Sequence, residues 1–171
     1  MTSPGHRDGL ERLFAEQRAQ REQWLRQLPA ELRALLPLDA TPIAQGLQQL
    51  ADAVGIGERV RAAQRAGSQA NSAVLHGRVF GRGAALPQET ALAAFGDGAR
   101  VREPLLLELA AAVDGGELRQ EVAALLAAAP LPEPGAPLDQ AQLTAALDAV
   151  FSAQRAALLH CAARLDAVLE E

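Results

Sequence analysis

"LDAVFSAQRA", residues 147–156, has a near copy close to the other end of the chain, "LERLFAEQRA", residues 10–19. In both, Leu, Phe and Gln follow one another at spacings of four and then three, which places them on one face of an α-helix. Each segment therefore predicts a helix with an amide set into its apolar stripe, Gln17 in one and Gln154 in the other. The later copy belongs to a longer stripe of Leu143, Leu147, Val150, Gln154, Leu158, Cys161, Leu165 and Val168. That pattern predicts a long C-terminal helix capped by Asp139 and running to about Leu169. About 30 helical residues would reach roughly 45 Å, enough to span a bundle. The earlier copy sits in a stripe of Leu10, Phe14, Gln17, Arg21, Trp24 and Leu28. Asp8 and Glu11 there have the spacing of a capping box, and residues 1–7 read as a flexible tail.

A polar residue at a helix seam costs stability and can fix register or partner number. The echo thus predicts that the first and last helices are neighbours, with Gln17 and Gln154 in one polar layer, either within the chain or between two subunits. The large side chains Phe14, Trp24 and Phe151 are anchors for a core or an interface, with the core their expected home. The segments between the two copies do not resemble each other, so no duplication is read from them.

Working outward, "PAELRALLP", residues 29–37, reads as a short helix bounded by prolines. Thr41 and Pro42 suit the N-cap and first position of a helix whose face is Ile43, Leu47, Leu50 and Val54, with Gly55 closing it. Residues 55–83 carry a seam of small residues, Val60, Ala63, Gly67, Ala70, Val74, Gly77 and Gly81, fit for close packing, with a break expected near Gly67 or Gly77. Pro87 restarts a short helix to Phe95, "GDG" at 96–98 reads as a turn, and helices follow over about 100–113 and from Glu117, separated by "DGG" at 114–116. "PLPEPGAP", residues 130–137, has four prolines in eight residues and predicts a rigid, non-helical crossover. The sum is an all-α, multi-helix bundle of about five to seven helices, a single helical domain over 8–171.

Composition agrees. The 171 residues include four Phe, one Trp, one Met and no Tyr, so Leu, Ala and Val must fill the core, and Leu and Ala favour helix. Every one of the 16 basic residues is Arg, which reads as a coding bias. The net charge of −5 argues against a generic polyanion binder. It is uneven: residues 1–103 hold 13 Arg against 11 acids, and residues 104–171 hold 3 against 10. The acidic C-terminal part suits solubility or a partner with a basic face. Cys161 is the lone cysteine, so no intrachain disulfide forms. The opening residues lack the pattern of a secretory signal and no apolar run matches a membrane span, so the expected location is cytoplasmic.

Little in the chain points to catalysis. His6, His76 and His160 are scattered; His160 and Cys161 are adjacent, so they diverge on a helix and make no ready chelate. Glu117 and Glu121 read as solvated, and "GRGAAL" at 81–86 lacks the lysine and the strand of a phosphate loop. No cofactor, no metal and no catalytic residue is expected. One basic concentration exists: Arg59, Arg61, Arg65, Arg78 and Arg82 against Glu58. It overlaps "IAQGLQQLADAVGIGERVRAAQRA", residues 43–66, which resembles a helix-turn-helix, with Ala51 four before Gly55 and Ile56 just after it. The resemblance implies that the second helix would enter the major groove, with Arg59, Arg61, Gln64 and Arg65 as its contacts. It departs from the motif where Arg61 takes the place of a buried aliphatic. The sequence therefore predicts a non-catalytic helical protein–protein interaction module, an adaptor, scaffold or chaperone-like protein whose partner is another protein or itself as a homodimer. A DNA-binding regulator is the alternative, and no membrane partner is expected.

Overall fold

The computed structural model describes residues 5–30, 41–76, 87–133 and 137–170, and their side chains except at 68–95 and Gln140. Among these the secondary structure is all helical: α1 (His6–Leu25), α2 (Thr41–Ala53), α3 (Gly57–His76), α4 (Pro87–Ala127) and α5 (Gln140–Glu170). The expected helix at 29–37, the seam positions Gly77 and Gly81, and Arg78 and Arg82 lie outside the described residues.

The long last helix forms as its sequence predicts. Asp139 and Gln142 make a reciprocal capping box: the Gln142 N–H donates to Asp139 Oδ1 at 2.8 Å, and the Asp139 N–H donates to Gln142 Oε1 at 3.0 Å. α5 packs against α1, α2 and α4 and is the spine of the bundle. Its Leu147, Val150, Phe151, Leu158, Cys161 and Leu165 are buried, each at most 6 % exposed.

α4 is the element that departs furthest from a simple rod. The expected turn at 96–98 does not form; the helix runs through it. Gly96 is buried, and a Cβ there would meet Leu147 of α5 at 3.9 Å, so long-range packing overrides the local turn preference. Pro104 also lies inside, at an exposed position one turn after the exposed Arg100. The break comes at Asp114 (φ −151°, ψ 26°) and Gly115 (φ 70°, ψ −147°), as the "DGG" segment predicts. Gly115 occupies a backbone region that residues with a Cβ scarcely enter. The chain reverses there. The arms before and after it lie side by side, because the Arg100 side chain reaches the Pro132 carbonyl at 2.9 Å, which a straight helix would put tens of ångströms away. Leu106 and Leu109 from the first arm, and Leu118 and Val122 from the second, are fully buried in the same core.

α1 runs antiparallel to α5, and the two are neighbours as the echo predicts. The start of α1 differs from expectation. Asp8 is not its cap; the helix begins at His6, within the stretch read as a tail. Asp166 near the end of α5 supplies the cap instead, accepting from the His6 N–H at 2.8 Å and the Arg7 N–H at 3.0 Å. The N-cap residue, Gly5, has no side chain because a Cβ would lie 2.5 Å from Asp166 Oδ2. Burial pushes the Asp166 carboxyl up, but these N–H groups and His6 outweigh it and hold it below its ordinary range.

α2 ends at Gly55, whose φ of +87° closes the helix in the left-handed region, and α3 follows. The expected break near Gly67 does not occur. A Cβ at Gly67 would meet Val101 of α4 at 2.8 Å, so the small residue sits where α3 and α4 approach closely.

Candidate interaction surface

The reversal at Asp114–Gly115 builds a cleft of about 440 Å³ between the two arms of α4 and the extended segment that follows them. Leu107 comes from the first arm, Ala123, Leu126 and Ala127 from the second, and Pro130, Leu131 and Pro132 from the segment beyond. The prolines keep that segment out of helix, and Arg100 straps it down, donating to the Pro132 carbonyl and, at 3.0 Å, to Asp97 Oδ1. That pairing spends the charge of Arg100. Glu103 and Glu133 also line the cleft, and among the described residues neither has an ion-pair partner. The result is an apolar floor with two carboxylates beside it.

The reversal is pinned to α5 by a surface network. Arg164 donates to Asp114 at the break and, at 3.0 Å, to Glu121 in the second arm, and His160 Nε2 lies 2.7 Å from the same Glu121 oxygen. The hydrogen bond from His160, reinforced by Arg164, holds the Glu121 carboxyl below its ordinary range. Sequence reading took Glu121 as solvated and gave His160 no partner; the structure joins them.

A second, smaller pocket of about 60 Å³ lies between α1, α2 and α5, lined by Phe14, Gln17, Arg18, Pro42, Ile43, Phe151 and Arg155. It gathers three of the five predicted seam residues. Phe14 and Phe151 are core residues, 4 % and 1 % exposed. The Arg155 guanidinium lies over the Phe14 ring at 4.8 Å; burial, and then the charge of Arg18, pull its pKa down. The predicted amide layer does not form. Gln154 is fully buried, but its Oε1 accepts from Arg102 Nε at 2.8 Å and its Nε2 donates to the Ala99 carbonyl at 3.0 Å, both on α4. Gln17 stays half-buried at the pocket rim.

Arg102 is the residue that sequence reading missed. It is 7 % exposed, stacks 5.5 Å from the Phe151 ring, and has no hydrogen-bond partner for its Nη2. Burial lowers its pKa to about 10, so it remains a cation at neutral pH. The available signal was its place in the apolar stripe of Ala99, Arg102, Leu106 and Leu109. Trp24 is a correction of another kind: expected in the core, it is 48 % exposed, with Arg21 5.8 Å from its ring. α1 buries only Leu10 and Phe14, in its first half, and Trp24 stands beyond the reach of that contact.

Residues 43–66 do form helix, turn and helix, with Ala51 and Val60 fully buried between α2 and α3. The arginines, however, point to different neighbours. Arg59 pairs with Glu108 of α4 at 2.7 Å, Arg61 with Asp52 of α2 at 3.5 Å, and Arg65 is exposed. Arg59 and Arg61 lie about 200° apart around α3. Gln64 Nε2 is buried without a hydrogen-bond partner.

Cys161 is fully buried, and burial pushes its thiol up to about 12, so it is a protonated packing group. Among the described residues no three His, Cys, Asp or Glu side chains converge as a metal site, and no helix is long and apolar enough to cross a membrane. Comparison of the chain with known protein families, with curated proteins and with solved structures gives no match.

Proposed function

We propose that the chain is a non-catalytic helical module that recognises other proteins, and that the cleft between the arms of α4 is its recognition surface. The observation that carries this reading is the pairing of an apolar floor, Leu107, Leu126 and Leu131, with Glu103 and Glu133, carboxylates without an ion-pair partner among the described residues. A surface of this kind takes an apolar side chain flanked by a cationic one, as grooves that receive amphipathic segments do. The acidic balance of residues 104–171, 10 acids against 3 Arg, extends the same preference over the surrounding surface.

Displayed random peptides test it. Selection on the wild-type chain, counter-selected with Ala127→Arg, should enrich sequences with a large apolar residue next to Lys or Arg. Ala127 is exposed, so the substitution leaves the core untouched. Failure to enrich any peptide over the blocked variant would overturn the reading.

The left-handed turn at Gly55 favours a second reading, a DNA-binding regulator that uses residues 43–66; the engagement of Arg59 and Arg61 by Glu108 and Asp52 opposes it. Titration with duplex DNA separates the two. A regulator binds with a steep salt dependence that weakens in Arg65→Ala; the interaction module shows no such binding.

A further inference from the structure

We propose that the cleft receives Trp24 of a second copy of this chain, an inference that rests on reading the cleft as a protein-recognition surface. Three observations lead there. Trp24 is the chain's single tryptophan, and it stands 48 % exposed near the end of α1, outside the buried core of the described residues. Tryptophan is the residue most enriched among those that dominate binding energy, and it does so when it fills a desolvated pocket. The cleft, at about 440 Å³, lies within the roughly 300–1,000 Å³ range of pockets that enclose such groups.

Charge fixes the choice of occupant. Residues 18–26 carry Arg18, Arg21 and Arg26 against Glu22 alone, so the segment presenting Trp24 has a net charge of +2. The cleft offers Glu103 and Glu133, with Arg100 already committed to Asp97 and Pro132. An indole carried on a basic helix end meets an apolar floor beside two carboxylates, and the match is opposite in sign. Of the other exposed apolar groups, Leu138 is flanked by Asp139, and Val168 and Leu169 at the end of α5 are followed by Glu170, so each would bring a like charge to the same rim. The surface that protrudes and the surface that receives are different, so a two-fold pair exchanges two such contacts, and a head-to-tail arrangement makes one per interface.

The lone tryptophan makes the contact directly readable. Dilution of the wild type should move the fluorescence emission of Trp24 to longer wavelength as the indole leaves the cleft, in step with dissociation measured by sedimentation velocity. Trp24→Ala should weaken self-association by at least about 30-fold, the effect of losing a dominant interface residue. Ala127→Arg should do the same while leaving Trp24 in place but solvent-exposed at every concentration. Pairing Arg26→Glu with Glu133→Arg should recover part of what either change loses alone. Each substituted position is exposed, so the fold is expected to persist, and circular dichroism checks it. A chain that is monomeric up to high micromolar concentration, with an unchanging emission maximum, overturns the proposal. Self-association insensitive to Trp24→Ala overturns it as well. A monomer that still enriches peptides at the cleft shows an occupant other than this chain and sinks the inference alone; failure of both experiments sinks the reading of the cleft too.

Discussion

Residues 10–19 and 147–156 share their Leu, Phe, Gln, Arg and Ala spacing, both are helical, and both bury their Phe; yet Gln154 is completely enclosed while Gln17 stands half open. The difference lies outside the two segments. α1 touches α2 and α5, whereas α5 touches α1, α2 and α4. The α4 hairpin covers the face of α5 that carries Gln154 and delivers Arg102 to it. Among the described residues no element covers Gln17 in the same way. The same local pattern thus specifies one seam residue that is part of a buried polar core and another that edges a pocket. Periodicity fixes which face turns inward; the number of neighbours decides how far inward each position lies.

Several changes would break or sharpen this contrast. The largest effect is expected from the paired aromatics. Phe151→Ala should cost about 4 kcal/mol in denaturant unfolding, and Phe14→Ala about 3 kcal/mol, since the peripheral site can relax more easily. Equal costs would mean that α1 is as enclosed as α5. Gln154→Leu should cost about 3 kcal/mol, because it leaves a buried Arg102 cation without its acceptor. Gln17→Leu should stay within about 0.5 kcal/mol of wild type. Adding Arg102→Leu to Gln154→Leu should recover most of the loss, since replacing both partners of a buried pair is often close to neutral. Next in size, Gly115→Ala forces a Cβ into a forbidden backbone region and should cost about 2 kcal/mol. Hydrogen exchange should then rise in the second arm of α4 and around Gln154, while the Gln17 region changes little.

A smaller loss than that of Gly115→Ala concerns the link between α1 and α5. Asp166→Asn should cost about 1 kcal/mol at neutral pH, because the amide keeps one acceptor oxygen but loses the second and the negative charge at the helix N-terminus. The folded-state pKa of Asp166 is depressed, so the stability it contributes is present above the ordinary carboxylate pKa of about 3.9. It is lost as the pH falls through the lower folded value. The gap between wild type and Asp166→Asn, followed by thermal unfolding against pH, should therefore begin to close below about pH 4. A gap independent of pH would show that the carboxylate charge has no part in the cap.

Local signals were legible in the sequence wherever a few consecutive residues determine the outcome. The Asp139 cap, the helix opening at Thr41–Pro42, the left-handed Gly55 and the break at 114–116 depend on their own segments. What escaped depends on residues far apart in the chain. Gly96 is helical because Leu147 packs on it, 51 positions later; α1 is capped by Asp166; Gln154 answers Arg102 across the bundle. Trp24 kept the spacing of a core residue, but periodicity does not say where a helix outruns its neighbours. The cleft was half visible: the prolines of 130–137 marked a rigid crossover, and the hairpin that gives it a facing wall appears only once the arms of α4 are seen to fold back.

Synthesis proceeds from the N-terminus, and the carboxylate that finishes the first turn of α1 is separated from it by 160 positions. While a nascent chain is still being elongated, the opening helix has its orphan amide donors and no acceptor for them from within its own segment. That acceptor arrives only once residue 166 has been made, roughly ten seconds or more later at about 5–20 residues per second. The Asp166 contact therefore closes late, tying the finished first turn of α1 to the arrival of α5.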